Sequence, residues 1–121
     1  MSEENDQVRL RHMLEYAREV TQFTQGKTRS DLNNDVLLDR ALRYSIGIIG
    51  EAAAHLSEEF RDAHPAIPWS DIIGMRNFLF HIYHRVESNI LWRTATESIP
   101  ALVVWIEPLL KEDSSDQTKN E

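Results

Sequence analysis

Apolar residues recur at Leu10, Met13, Leu14, Ala17 and Val20, a three-and-four spacing that places them on one face of a helix running from Gln7 to Gln25. Gly26 offers a C-terminal stop, and the polar stretch Lys27 to Asn34 reads as a loop. Asn34 or Asp35 can cap a second helix reaching about Arg61, with Leu38, Ala41, Ser45, Ile48, Ile49, Ala52, Leu56 and Phe60 as its buried stripe. Gly47, Gly50 and the alanines 52–54 make that helix thin in its middle, which suits a close crossing by another backbone despite the propensity cost of two glycines.

The segment His64-Pro65-Ala66-Ile67-Pro68 interrupts the pattern, because neither proline can extend a preceding helix. A short helical turn over Trp69 to Ile73 follows, with Gly74 as a joint. A third helix is expected from about Met75 to Val86, and a fourth from about Asn89 to Leu110, kinked at Pro100. Trp69, Trp92 and Trp105 all fit core or helix-entry positions. Nothing alternates with period two between turn signals and no repeat is present. The expected fold is all-α, an up-and-down bundle of four main helices plus a short helical turn. It comprises a flexible acidic N-terminus (residues 1–6), the bundle (7–110) and a disordered acidic tail (111–121).

Length and charge narrow the function. A chain of 121 residues fits one domain whose surface fraction is high enough for oligomerisation to help it. There is no cysteine, which excludes disulfides and thiolate chemistry and is compatible with a reducing compartment. No apolar stretch approaches about 18 residues and the first residues are acidic, so the expectation is a cytoplasmic protein with no membrane partner. The net charge of −7 argues against a general nucleic-acid coat protein. Residues 1–6 carry −3 of it and 111–121 carry −2, leaving a body of only −2. Ten of the thirteen cations are arginine, the side chain better shaped for bidentate phosphate contacts.

Candidate chemistry concentrates in RNFLFHIYH, residues 76–84. Arg76 can stabilise phosphate charge without losing its own, and His81 titrates near neutrality and can move protons both ways. For this composition chance alone gives roughly 0.4 occurrences of Arg followed five later by His, but only about 0.01 once Tyr is required two positions on, so the triple with Tyr83 is the informative feature. At about 100° per residue, Met75, Phe78, Leu79, Ile82 and Val86 form an apolar stripe, while Asn77, His81 and His84 lie opposite, edged by Arg76, Phe80 and Tyr83. Asn77 could orient the imidazole or contact phosphate, and His84 could contact phosphate. His81 and His84 are too few ligands for a metal, so no metal or cofactor is expected. His12, His55 and His64 have no chemical company and read as structural. Glu51 could pair with Arg76 across the bundle, although a carboxylate facing water is slightly favoured.

Cleaving RNA by attack of the 2′-hydroxyl needs a base, an acid and stabilisation of the phosphorane charge, more than one Arg and one His supply. A two-fold homodimer pairing the third helix with its mate would bring two Arg76 and two His81 into one cleft and bury Phe80.

The runs IGEAAAHLSEEFRDAHPAIPW and IPWSDIIGMRNFLFHIYHRVESNILW resemble the HepT-like branch of the HEPN superfamily, over most of residues 7–110. Its R-x4-H-x-Y pattern is met by Arg76, His81 and Tyr83. The resemblance implies a dimeric helical bundle acting as a metal-independent endoribonuclease, the toxin of a toxin–antitoxin pair, with Arg76 and His81 catalytic. It also implies a minimal nucleotidyltransferase antitoxin able to attach AMP to Tyr83. The rival expectation is a noncatalytic helical subunit that dimerises and binds the nucleotidyltransferase.

Overall fold

The computed structural model describes residues 2–80 and 88–111. All regular structure among them is helical. Helix α1 runs Ser2–Thr24 and closes before Gly26, whose φ of 74° is the left-handed conformation that glycine takes without a Cβ penalty. Leu10, Met13, Leu14, Ala17 and Val20 are buried, as their spacing requires. Fully burying each leucine or valine contributes about 1.5–3 kcal/mol. The segment expected to be a flexible acidic arm belongs to α1 from Ser2 onward, and Asp6 within it is buried.

Helix α2, Arg29–Asn34, occupies the stretch expected to be a loop. A reciprocal cap explains it: the Thr28 backbone N–H donates to Asp31 Oδ2 at 2.7 Å, the Asp31 N–H donates to Thr28 Oγ1 at 3.3 Å, and Leu32 is buried beneath. Helix α3, Val36–Ala54, begins at Asp35, whose Oδ1 accepts from the Leu38 N–H at 3.1 Å. It stops short of Arg61. Ser57 starts a separate helix α4, Glu58–Ala63, by accepting from the Phe60 N–H at 3.1 Å. Ser57 itself donates its N–H and Oγ–H to Asp6 at 2.8 and 2.7 Å, which ties the break to α1.

After Pro68 comes α5, Trp69–Gly74, followed without interruption by a 3-10 helix over Met75–Leu79. A single α-helix from Met75 to Val86 is therefore corrected in its first half, and residues 81–87 lie outside the described residues. Burial fits the tighter coil: Met75 and Phe78, three apart within the 3-10 helix, are both buried. In an α-helix they would be turned about 60° from one another, whereas three residues per turn keeps both facing the core.

The last run comprises α6, Ser88–Arg93, a π-helical turn over Thr94–Ser98, α7, Ile99–Ile106, and a 3-10 turn over Glu107–Leu109. The kink expected at Pro100 takes the form of the π turn. Pro100 has no N–H for the Thr96 carbonyl, and the Ile99 N–H reaches back to Thr94 O instead. Leu91, Ala95, Ile99, Leu102 and Ile106 line the core. Trp105, expected among them, is 40% exposed beside exposed Val104, because Leu102 and Ile106 hold the inward row. Gln7 spans the two ends of the chain, donating from Nε2 to Leu109 O at 3.2 Å and accepting from the Lys111 N–H at 2.8 Å. The rest of the expected tail, 112–121, lies outside the described residues. No helix among the described residues is long and apolar enough to cross a membrane.

The central helix α3 is buried on several sides. Leu42, Ile46 and Ile49 face the core, and Arg43, also buried, donates from Nε to Asp39 Oδ1 at 2.8 Å one turn back. Its two glycines face the 3-10 helix. A Cβ on Gly50 would lie 2.6 Å from Arg76 N, 2.9 Å from Ile72 O and 3.0 Å from Met75 C, all backbone atoms. A Cβ on Gly47 would press first on the Leu79 side chain, its three nearest atoms being Leu79 Cγ, Cδ2 and Cδ1. Glycine costs about 1 kcal/mol in a helix interior, so Ala at an indifferent site would stabilise α3. Gly50→Ala is expected to destabilise by about 1–3 kcal/mol through overpacking against an unyielding backbone. Gly47→Ala should cost less, since a leucine can change rotamer. Urea denaturation of the two variants beside wild type checks the order; equal or raised stability of Gly50→Ala would contradict the close approach.

Candidate active site

Burial repeats every three residues across the end of α5 and the 3-10 helix. Ile72, Met75 and Phe78 are buried; Asp71, Gly74, Asn77 and Phe80 are exposed; Ile73, Arg76 and Leu79 are half-buried between them. Arg76 is thus neither on the apolar side nor fully outward. Its backbone is pressed against Gly50, and its side chain lies along α3, where Nε donates to Glu51 Oε1 at 2.9 Å.

That contact overturns the expectation that Glu51 faces water. Gly47, Gly50, Glu51 and His55 fall at intervals of three and four on α3, so they share the face that receives the 3-10 helix. The side chains of Arg76 and Glu51 remain 42% and 41% exposed. A pair so exposed contributes about 0.2–1 kcal/mol to stability. Its main consequence is orientation of the guanidinium.

His55, expected to be without chemical company, occupies the C-cap of α3 beside this pair. Its Nδ1 lies 2.9 Å from the Glu51 carbonyl oxygen and 3.6 Å from Glu51 Oε2, and its side chain is 52% exposed. One carboxylate therefore has Arg76 on one oxygen and an imidazole by the other. His64, by contrast, packs its ring against Phe60, tilted by 48° with centroids 4.7 Å apart, at the α4 end.

Asn77 is exposed on the row next to Arg76. It opens on a cavity of about 410 Å³ whose other polar walls are Asp71, Thr94 and Ser98, over Met75 and Phe78. Phe80 is 65% exposed, an aromatic ring in water at the end of the 3-10 helix. His81, Tyr83 and His84 lie outside the described residues. The structure accordingly brings Arg76, Asn77 and Phe80 together on one short element and adds Glu51 and His55 from α3.

Sequence reasoning weighed Glu51 and passed over His55. The available signal was the Gly50-Glu51 dipeptide: a mid-helix glycine marks where another backbone approaches, so the charged side chain next to it meets whatever approaches.

A half-exposed guanidinium with one N–H committed and no further partner among the described residues is suited to gripping an oxyanion. Similarity to known proteins points the same way. A candidate RNase of Caldanaerobacter subterraneus subsp. tengcongensis is 36% identical over 104 residues, covering 86% of this chain and 93% of that protein. A candidate ribonuclease HepT of Thermococcus cleftensis is 34% identical over 102 residues, covering 81% and 93%. A candidate RNase of Methanocaldococcus jannaschii is 30% identical over 102 residues, covering 84% and 94%. No solved structure matches the chain significantly. The family described as ribonuclease HepT-like matches residues 13–109, which span the helical core and the Arg76 turn, and the chain belongs to that family.

Proposed function

We propose that this protein is a metal-independent endoribonuclease, the toxin of a toxin–antitoxin pair, that cleaves RNA through Arg76 and His81. The observation that carries the reading is Arg76 itself: a half-exposed guanidinium on a 3-10 turn, held at Nε by Glu51 and with no other partner among the described residues, in a chain of ribonuclease family. In the reaction the 2′-oxygen attacks phosphorus, the P–O5′ bond breaks, and the products end in a 2′,3′-cyclic phosphate and a 5′-hydroxyl. The proton leaving the 2′-hydroxyl goes to a base, and an acid protonates the departing 5′-oxygen. Arg76 stabilises the charge that builds on the phosphorane.

His81 takes one proton-transfer role, and a second His81 from a two-fold partner takes the other. Phe80, exposed at the end of the 3-10 helix that carries Arg76, is the apolar contact that such a dimer would bury. Asn77 and His84 support phosphate or ribose binding beside it.

A nucleotidyltransferase antitoxin binds this toxin and transfers AMP to Tyr83. The 5′-phosphorus of ATP would form a bond to the tyrosine oxygen as pyrophosphate leaves and the phenolic proton passes to solvent. The added phosphate would place negative charge two residues from His81 and compete with RNA for Arg76.

Substituting His81→Ala or Arg76→Ala should slow cleavage of RNA by about 100-fold or more, with EDTA leaving the wild-type rate unchanged. Gel analysis of end-labelled RNA checks rate and end chemistry; wild-type cleavage by His81→Ala would sink the mechanism. Incubation with the cognate nucleotidyltransferase and ATP should add an AMP-sized mass to the wild type and none to Tyr83→Phe. Intact-mass spectrometry with peptide mapping reads both, and an increment on any other residue contradicts the assignment.

A further inference from the structure

We propose that Glu51 is a positioning residue: its carboxylate holds Arg76 by Nε so that the Nη1/Nη2 edge of the guanidinium meets the RNA phosphate. The inference rests on the ribonuclease reading above and names a residue that reading does not need.

The support comes from how Arg76 is fixed at both ends. Its backbone nitrogen sits where a Cβ on Gly50 would come within 2.6 Å, so the main chain lies close against α3. Its side chain is tethered at one atom, with Nε–H donating to Glu51 Oε1 at 2.9 Å. An arginine has many rotamers, and a half-exposed one without a partner would sample them. One hydrogen bond at Nε biases the side chain toward the rotamers that keep that contact. The other guanidinium nitrogens have no partner among the described residues, and that end of the planar fork matches two phosphate oxygens. Gly50 and Glu51 are consecutive on α3, so the same turn of helix sets the height of the Arg76 backbone and the direction of its side chain. His55 Nδ1, 3.6 Å from Glu51 Oε2 and 2.9 Å from the Glu51 carbonyl oxygen, flanks the carboxylate on the side away from Arg76 Nε.

Charge alone predicts the opposite outcome. A carboxylate beside a phosphate site repels RNA, so a Glu51 that acted only through its charge would hinder the reaction, and its removal would help. Positioning predicts that removal harms turnover while leaving binding alone or improving it. The neutral isostere separates the two, because glutamine keeps an oxygen able to accept the Nε–H without the negative charge.

The experiment compares purified wild type, Glu51→Ala and Glu51→Gln on a cleavable RNA. Glu51→Ala should lower kcat about 10-fold or more, with KM unchanged or reduced. Glu51→Gln should stay within about 3-fold of wild type. In an Arg76→Lys background, which has no Nε–H, Glu51→Ala should change the rate by less than about 2-fold, the signature of two residues acting as one unit. The Arg76 Nε–H signal in a ¹⁵N-edited spectrum should be shifted and protected in wild type and Glu51→Gln, and should fall to the free-arginine position in Glu51→Ala. An unchanged Nε–H signal in Glu51→Ala overturns the positioning role whether or not RNA is cut. Wild-type kcat in Glu51→Ala, or a Glu51→Gln as impaired as Glu51→Ala, also overturns it. A wild-type protein that cuts no RNA sinks the ribonuclease reading first, and the catalytic part of this proposal with it. A thermal melt confirms that both variants fold, as the exposure of Glu51 leads one to expect.

Discussion

The site depends on a backbone contact with no side chain in it, the approach of the Arg76 nitrogen to Gly50. Helix α3 runs through the middle of the protein, and at this height it is stripped to glycine, so the chain from Ile72 to Arg76 can lie directly on it. Close approach requires the second element to be narrow as well. The 3-10 helix is the narrower coil, and its three-residue turn keeps Met75 and Phe78 in one row against the core. Remove the glycine and both requirements fail together, because the tight coil has nothing to lie against and the buried row loses its register.

From that contact the position of Arg76 follows. In a three-fold coil with one row buried and one exposed, the remaining row grazes the neighbouring helix. Arg76 is in that row, and the first residue of α3 beyond Gly50 is Glu51. A guanidinium and a carboxylate therefore meet because two backbones meet, and the ion pair contributes little to holding those backbones there. The body of the chain carries a charge of only −2, so one oriented guanidinium can be a substantial local feature of the potential that an RNA phosphate encounters.

Much of this was legible in the residues, and the failures have physical causes. The five apolar positions of α1, the Asp35 cap, the Gly26 stop and the thin middle of α3 are local signals, each acting within about one turn, and each holds in the structure. The stretch after Gly74 satisfied two periods at once. Met75, Phe78 and Leu79 fit a 3.6-residue stripe, and Ile72, Met75 and Phe78 fit a three-residue row. Only the tertiary contact at Gly50 chooses between them. Helix α2 was missed because its box uses Thr28 and Asp31, a weaker pairing than Ser or Thr with Glu, in a stretch otherwise polar. The break after Ala54 was missed because Ser57 acts as a cap while its own donors go to Asp6, 51 residues earlier in the chain. Trp105 shows the limit of size as a guide to burial: the inward row of α7 was already filled by Leu102 and Ile106. The candidate site was legible as a motif but not as an arrangement, since the motif gives Arg76 and the fold gives Glu51.

The arrangement separates what must be rigid from what must be free. At Arg76 the backbone is fixed by steric contact, the strongest constraint a protein can apply, and the side chain by a single charge-assisted hydrogen bond at its near end. The far end, which would do chemistry, has no recorded partner among the described residues. An arginine buried in a full network would be better ordered but could not transfer its hydrogen bonds to an incoming phosphate without breaking others. An arginine with no tether would have its freedom to lose at the moment of binding. Half-burial with one bond at Nε lies between these limits: the guanidinium would be aimed before RNA arrives, with no bond from its far end to the described residues that has to break when it does.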